Sequence, residues 1–344
     1  MKKIDFIYPF TGWIGLDLPN CFASLHMFMQ KIEGNDEYEC KAKNGQKCDG
    51  CGNCKNTLRG QHERFWFTFD TVSGRTATIT GWENTNTDIF NEVYNTDDSL
   101  DFLMGYNGYS YEKYTDKSVF NKKIIETIDK NTPVLVRTKI DENIAYPQQN
   151  EFSIIIGYDD EKFIIPDTIN PKIELNIENI EQIYIITDKI KQKYNNIDVL
   201  KRLKHIMETN RKNGEWDKYI DAFSKYWDKS QNLDIEQLKQ KFWFLHRGMI
   251  WNCHNFSEAS GIWDELKKFE KFKPALDRMF VACDLSHTHQ WQGMSLWTTR
   301  DWSKKFYNEV EWGMFENAIQ VLKLVKEDDE VIYQSIYEIL AINN

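Results

Sequence analysis

Short runs of β-branched and aromatic residues, bounded by turn residues, recur through the first half of the chain and predict strands. Two stretches in the same half repeat apolar residues at every third or fourth position instead, which predicts helices. One of these helices follows Asn20 and the other covers residues 118–130. The predicted strands cover residues 65–69, 76–80, 133–138, 152–158, 162–166 and 182–187. This mixture predicts an α+β domain.

Beyond residue 188 the apolar pattern is helical almost throughout, with residues repeating at every third or fourth position. Nine of the 12 tryptophans fall between Trp216 and Trp312, which is typical of an aromatic helical core. We find no fixed internal repeat. The sequence therefore predicts two domains, an α+β domain over 1–188 and an all-α domain over 189–344.

The charge and hydropathy of the chain argue against two classes of partner, nucleic acids and membranes. A net charge of −10 argues against nucleic acid, because nucleic-acid binding requires a basic surface. No window is apolar enough to span a membrane, and the start of the chain has no signal-peptide pattern. We therefore expect a cytoplasmic protein with no membrane partner, in which the thiols stay reduced.

Cys21 is the first candidate for chemistry. Asn20 is a good helix N-cap, and Cys21 would then open the helix. The positive end of a helix favours the thiolate and lowers a cysteine pKa, which suits a nucleophile. A small apolar side chain buried at a helix end is the alternative interpretation. An apolar stripe follows the cysteine along the helix and consists of Phe22, Leu25, Met29 and Ile32.

The order of the sequence features that follow Cys21 is a second observation on its role. Residues 132–168 contain a strand, a loop, the strand "FSIIIGYDD" (152–160), a tight turn, another strand and then Asp167. Together with Cys21, this order resembles papain-like cysteine peptidases. More closely, it resembles the bacterial leader-processing branch and the N-terminal domain of the butirosin-biosynthesis acyltransferase family. The resemblance covers roughly residues 10–187. It implies a papain-like fold in which Cys21 is the nucleophile and Asp167 orients the base.

The sequence differs from this family at the position of the catalytic base. The family carries a histidine six residues before the glycine of its Gly-Tyr pair, and Glu151 occupies that position here. Three hypotheses stay open: the domain is a degenerate relative, Glu151 is the base, or a histidine from elsewhere completes the site. His26 and the histidines of the helical domain are candidates for the third. His26 itself points about 140° away from Cys21 on an ideal helix.

The resemblance implies an acyltransferase of a bacterial biosynthetic pathway. Cys21 would form an acyl thioester and pass the acyl group to an amine. The implied partners are an acyl carrier protein as donor and a small amine or peptide as acceptor. Two alternatives remain: a catalytically degenerate papain-fold protein that binds or scaffolds, and a cysteine peptidase that acts on a peptide.

Four cysteines crowd into residues 38–60, which we interpret as an insertion in the first domain. They are Cys40, Cys48, Cys51 and Cys54, with the spacing C-x7-C-x2-C-x2-C. Four thiolates in so short a segment predict a structural zinc knuckle. An iron–sulfur cluster is one alternative, and thiols without a metal are another.

Several histidines of the helical domain lie near Cys253, Cys283 and Asp284 in the sequence. A second metal site is one hypothesis for them, although the spacing matches no standard ligand set. Histidines that pack against aromatic rings are the alternative. The histidines in question are His246, His254, His287 and His289.

Overall fold

A computed structural model of the chain describes residues 1–5, 18–33, 58–79, 97–139, 152–159, 162–165, 174–226, 254–295 and 312–343. The chain forms two compact units. The first unit comprises Met1–Ser73 and Tyr94–Tyr194, and the second comprises Gly74–Val93 and Asn195–Asn344. The first unit is mixed α+β, and the described part of the second is helical.

Four helices of the first unit are described. They are α1 (Leu18–Ile32), α2 (Leu58–Ser73), α3 (Asp97–Asn107) and α4 (Lys117–Asp129). Every residue of α1 from Leu18 to Phe28 is buried. The helix contacts α2. At the start of α4, the Asp116 carboxylate accepts a hydrogen bond from the Ser118 N–H at 3.0 Å, which caps the helix.

The strands described in the first unit number eight and form two antiparallel four-stranded sheets, with the strand orders β1-β5-β6-β7 and β2-β8-β3-β4. The first sheet consists of β1 (Lys2–Lys3), β5 (Gly157–Asp159), β6 (Lys162–Ile164) and β7 (Glu174–Asn176). The second consists of β2 (Tyr109–Tyr114), β3 (Val134–Thr138), β4 (Phe152–Ile155) and β8 (Ile180–Lys189). In β3 and β4, Val136 lies opposite Ser153. Both strands also contact α1.

Gly157 fixes how closely β1 approaches β5. A Cβ atom at this position would lie 2.4 Å from the Lys2 carbonyl oxygen and 2.9 Å from the Lys3 Cα. Only a residue without a side chain allows the two strands to pair at this distance.

The core of the first unit joins both sheets to α1 and α4. Apolar residues of α4 at a spacing of four face the second sheet, as the helical pattern predicted. The core cluster contains Ile4, Phe28, Phe120, Ile124, Ile128, Val134, Val136, Ile155, Phe163, Ile165, Ile180, Ile183 and Ile185. Ile155 and Phe28 are both members, which ties the second sheet to α1.

The structure confirms most of the predicted strands and corrects two. The predictions over 133–138, 152–158, 162–166 and 182–187 are confirmed, with a break at Ile156 between β4 and β5. The prediction over 65–69 is wrong, because these residues lie inside α2. The prediction over 76–80 is wrong in its described part, where Arg75–Ala77 is a 3-10 turn. The helix α3 and the strands β1, β2 and β7 were not predicted.

The physical reason for the first correction is the burial pattern of α2. In its first half, His62, Trp66 and Phe69 are buried at a spacing of four and three residues while Arg64 is exposed, and from Thr68 onward the helix is buried on all sides. The run of aromatic residues favours a strand locally, but packing against α1 decides the conformation.

Helices make up the described residues of the second unit after Asn195, as predicted. They are α5 (Asn196–Asn213), α6 (Glu215–Tyr226), α7 (Ser260–Leu266), α8 (Lys273–Ser295) and α9 (Trp312–Asn343). Asn195 and Asp198 form a capping box at the start of α5. The helices α8 and α9 pack along each other, and α9 also contacts α5 and α6.

Residues of the Gly74–Ile79 stretch pack on α5 within the second unit. The Asn210 side-chain amide donates a hydrogen bond to the Ala77 carbonyl oxygen at 2.7 Å, in a buried position. Gly74 lies against Ile206 of the same helix. Among the described helices of the whole chain, none combines the length and the apolar character that a membrane crossing requires.

Candidate active site

Cys21 lies in the first turn of α1 and is fully buried. The helix begins at Leu18, so Asn20 is helical and the prediction that it is the N-cap is wrong. Pro19 explains the earlier start, because its fixed φ suits the first turn of a helix and that turn needs no N–H from it. Cys21 therefore still lies at the positive end of α1, where the helix favours a thiolate.

His62 of α2 is the histidine that the structure places beside this turn. Its ring Nε2 lies 3.3 Å from the backbone carbonyl oxygen of Asn20. Because a carbonyl oxygen only accepts hydrogen bonds, Nε2 carries the ring proton and Nδ1 carries the lone pair. Burial lowers the pKa of His62 to about 4, although the hydrogen bond to Asn20 acts in the opposite direction. His62 is therefore neutral at pH 7.

Ser24 lies one turn after Cys21 on the same side of α1, because residues three apart on a helix are neighbours. Its hydroxyl is fully buried and has no hydrogen-bond partner within the part of the chain that the structure describes. The buried hydroxyl of Ser153, on the strand β4 that α1 contacts, is in the same situation. Buried hydroxyls are normally paired, so this region resembles a functional site more than an ordinary core. We call Asn20, Cys21, Ser24 and His62 the α1 polar cluster.

His26 does not join the α1 polar cluster. Its Nδ1 lies 2.9 Å from the Tyr109 hydroxyl and its Nε2 lies 2.7 Å from the Gln30 side-chain nitrogen. Its ring also packs edge-on against Phe65 and Phe69. Burial, and then the positive charge of Lys189, lower the pKa of His26 to about 3. Both ring nitrogens are engaged, so His26 is a structural histidine.

The other predicted catalytic and metal-ligating residues of the first domain lie outside the described residues. These are Glu151, Asp167, Cys40, Cys48, Cys51 and Cys54. Their predicted roles stay predictions. Among the residues that the structure does describe, no three histidine, cysteine or acidic side chains are grouped so that they could hold a metal ion.

The three described candidate histidines of the second unit lie in two environments. The rings of His254 and His287 lie with their centroids 5.4 Å apart. Burial and the neighbouring His254 lower the pKa of His287, while Asp284 and Glu258 act in the opposite direction. His289 instead contacts Asp328 of α9, with Nδ1 2.8 Å from the carboxylate. His246 lies outside the described residues.

Sequence reasoning missed His62 because it assigned the surrounding residues to a strand. The spacing of His62, Trp66 and Phe69 was the signal that could have found it. On a helix, this spacing places the histidine on the face that packs against α1. Comparison of the chain with protein-family models, with curated proteins and with solved structures finds no match in any of the three.

Proposed function

We propose that this chain is a papain-like-fold, acyltransferase-like protein in which Cys21 forms an acyl thioester and passes the acyl group to an amine. The observation that carries the proposal is the α1 polar cluster. It combines a cysteine in the first turn of a buried helix, a neutral imidazole within one peptide unit of it and a buried hydroxyl one turn away.

The cost of burying these groups supports a chemical role. Polar side chains in a protein interior destabilise it unless they are paired, and such groups concentrate where a site needs them. The positive end of α1 additionally favours the negative charge that a thiolate nucleophile carries. The cluster therefore combines a candidate nucleophile at the positive end of α1 with a neutral imidazole that contacts the same turn of the helix.

The order of elements supports the papain-like part of the proposal. The cysteine helix α1 comes first in the chain, and the antiparallel strands β3 and β4 that it contacts follow. The Gly157-Tyr158-Asp159 sequence, one of the features on which the resemblance rests, forms β5. This order is the one that the resemblance implies.

In the proposed reaction, the Cys21 sulfur attacks the carbonyl carbon of a thioester. The carbon–sulfur bond to Cys21 forms as the bond to the donor thiol breaks. An amine then attacks the same carbon, the amide bond forms, and the Cys21 thiol is released. An acyl carrier protein is the proposed donor. With water as the acceptor, the same intermediate would give the hydrolysis expected of a peptidase.

The four cysteines of the predicted knuckle complete the proposal as a structural element. Thiolates at this spacing would hold a tetrahedral zinc ion, which stabilises a segment that is too short to form its own core. The proposal gives the metal no part in the reaction. An iron–sulfur cluster stays the alternative for the same ligands.

One observation favours a second function, that of a non-catalytic binding protein. The Cys21 side chain has 0% of its surface exposed. A nucleophile must meet its substrate, so a permanently covered thiol would indicate a degenerate relative that binds rather than reacts.

The rate of Cys21 alkylation against pH separates the two functions. Cys283 of α8 serves as an internal control, because it is also a buried cysteine but lies within a helix rather than in a first turn. Peptide mass spectrometry reports both cysteines in the same sample. We expect Cys21 to titrate well below the ~8.5 of an ordinary thiol and to react faster than Cys283 at pH 7.

Incubation with a simple acyl thioester tests the chemistry itself. We expect an acyl adduct on the intact protein that maps to Cys21 and is absent from Cys21→Ala. Cys283→Ala should keep the adduct. If Cys21 titrates at or above ~8.5 and no adduct forms, the catalytic proposal is wrong and the binding function stands.

A further inference from the structure

The thiol of Cys21 is covered in the structure, and the helix α2 lies beside the turn that carries it. Cys21 is fully buried, and His62 of α2 contacts the carbonyl of the preceding residue, Asn20. Further along the two helices, the rings of Phe22 and Phe69 meet edge to face with their centroids 5.1 Å apart. A reagent or substrate reaches Cys21 only if part of this packing opens.

Each of the two helices places a histidine against the other. His62 reaches α1 from α2 through its contact with the Asn20 carbonyl oxygen. His26 reaches α2 from α1, where its ring packs edge-on against Phe65 and Phe69 at centroid distances of 4.8 and 5.3 Å. Both histidines are buried. We call these contacts the α1–α2 interface, and it contains two imidazoles.

The hydrogen bonds of His26 fit a neutral ring. The Gln30 side-chain N–H₂ donates to Nε2 at 2.7 Å, so the ring proton is on Nδ1, which donates to the Tyr109 hydroxyl at 2.9 Å. A second proton on Nε2 would face the Gln30 donor. The new charge would also add to that of Lys189 of β8, although the amine of this lysine pairs with Glu33 at 3.4 Å.

Burial is the main influence on His62. It lowers the pKa of His62 to about 4, while the hydrogen bond to Asn20 acts in the opposite direction. Burial, and then Lys189, lower the pKa of His26 to about 3. Cys21 is the other titratable group of the first turn, and a thiolate there would favour a charged ring. Between pH 5 and pH 7 both histidines are therefore neutral while the interface is closed.

The α1–α2 interface is distinct from the core that holds the two sheets together. That core cluster is built from both sheets and α4, with Phe28 as the fully described contribution of α1, and it includes no described residue of α2. Ser24 lies in the part of α1 that precedes Phe28, and its buried hydroxyl has no hydrogen-bond partner among the described residues. Opening this part of α1 to water would satisfy that hydroxyl rather than break a bond.

We infer that the α1–α2 interface is a pH-sensitive cover of Cys21, which opens in mild acid when His26 and His62 take up protons. Near pH 7 both rings are neutral and the interface stays closed. In mild acid the open form binds protons that the closed form does not, so the population shifts towards the open form. The inference concerns access to the thiol and does not depend on acyl transfer by Cys21.

The size of the shift follows from the two titrations. Each histidine titrates near 6.5 in water and near 3 or 4 in the closed interface. Each therefore raises the equilibrium constant of opening by about twentyfold between pH 7 and pH 5, and the pair raises it by about four hundredfold.

Hydrogen exchange of the full-length protein, followed by peptide mass spectrometry at pH 7, 6 and 5, measures the opening. The rates are corrected for the intrinsic exchange rate at each pH. We expect the protection of the α1 and α2 amides to fall by about four hundredfold from pH 7 to pH 5. At every pH it should be lower than the protection of α4, the control helix, which packs on the sheet core of the same unit.

Two histidine variants assign the effect to the interface. His26→Gln and His62→Gln each remove one titration, so each should leave a fall of about twentyfold in the protection of α1 and α2. The double variant should keep this protection nearly constant between pH 7 and pH 5. Cys21→Ala should show the wild-type fall, because the thiol supplies none of the protons.

A disulfide probe reports access to the thiol itself. Dithiodipyridine still reacts with thiols in mild acid, and its rate at each pH is divided by its rate with glutathione. We expect this ratio to rise at Cys21 by about four hundredfold from pH 7 to pH 5 in the wild type and to stay nearly constant in the double variant. The buried Cys283 of α8, mapped in the same samples, should behave alike in the two proteins.

Three results would overturn the inference. The first is constant protection of α1 and α2 between pH 7 and pH 5 in the wild type. The second is equal protection of α1, α2 and α4 at every pH, which would mean that the whole unit unfolds together. The third is an acid-induced rise at Cys21 that persists in the double variant. The first two need only the wild type, so they decide the matter even if a variant does not fold.

Discussion

The two buried histidines of the first unit predict a loss of stability in mild acid. Burial lowers the pKa of His26 to about 3 and that of His62 to about 4, from 6.5 in an unfolded chain. Between these values and 6.5 the unfolded chain binds protons that the folded chain does not. The free energy of unfolding therefore falls as the pH falls below 6.5.

The size of the effect follows from the same shifts. At pH 5 the solution lies about 1.5 units below the unfolded pKa and still above both folded values. Each unit corresponds to about 1.4 kcal/mol, so each histidine lowers the stability by about 2 kcal/mol between pH 7 and pH 5, and the pair by about 4 kcal/mol. This loss is large against the 5–15 kcal/mol that is typical of a folded domain.

Urea unfolding at pH 7, 6 and 5, followed by circular dichroism, measures the slope of the free energy of unfolding against pH. We expect His26→Gln and His62→Gln each to reduce the slope by about half, and the double variant to remove most of it. The variant His205→Gln, at an exposed position of α5, provides the control for the substitution itself. Equal slopes in the wild type and the double variant between pH 7 and pH 5 would refute the reasoning, whatever the stability at pH 7.

Three further predictions concern positions away from the α1 polar cluster. Gly157→Ala should destabilise the chain by about 3 kcal/mol, because its Cβ would meet the β1 backbone. Gly214→Ala has open space around it and a φ of +65°, and it should lose only about 1 kcal/mol of stability in the same urea assay. Arg211→Gln should lose about 2 kcal/mol of stability, because the Asp329 carboxylate 3.2 Å away loses its partner. The loss should be larger at pH 8, where this carboxylate stays charged, than at pH 4. Metal analysis should find about one zinc ion per chain, lost in Cys51→Ser.

Each of these predictions has an outcome that contradicts it. Equal stabilities of the two alanine variants would mean that β1 does not need the close approach at Gly157. A larger loss at pH 4 than at pH 8 for Arg211→Gln would contradict the unpaired-carboxylate argument. Iron with visible absorption would replace the zinc assignment by an iron–sulfur cluster, and metal-free protein purified without chelators would exclude both.

The strands of the second sheet could be predicted because their sequences are consistent at every level. The β3 and β8 segments are rich in Val and Ile and are bounded by turn residues, and the apolar residues of β3 and Ile183–Ile186 of β8 are buried as the pattern implies. The helix α4 could be predicted for the same reason, since its apolar residues recur at helical spacing and Asp116 caps it. Local preference and tertiary packing agree at these positions.

The helix α2 could not be predicted from a five-residue window. Phe65, Trp66, Phe67 and Phe69 favour a strand individually, and the helical period is visible only over the longer stretch that includes His62. This misassignment also concealed the position of His62, because on a strand nothing places this residue beside the first turn of α1. The site depends on a contact between two helices, α1 and α2, that are far apart in the chain, and no local pattern encodes such a contact.

The path of the chain between the two units has a consequence for how this protein can be divided. Because the second unit contains Gly74–Val93 as well as Asn195–Asn344, the chain passes from one unit to the other three times. A single cut after Tyr194 would remove from Ala77 the Asn210 amide that satisfies its buried carbonyl. Genetic recombination at that point would therefore not exchange two self-sufficient modules, and we expect the two units to be inherited, and to fold, together.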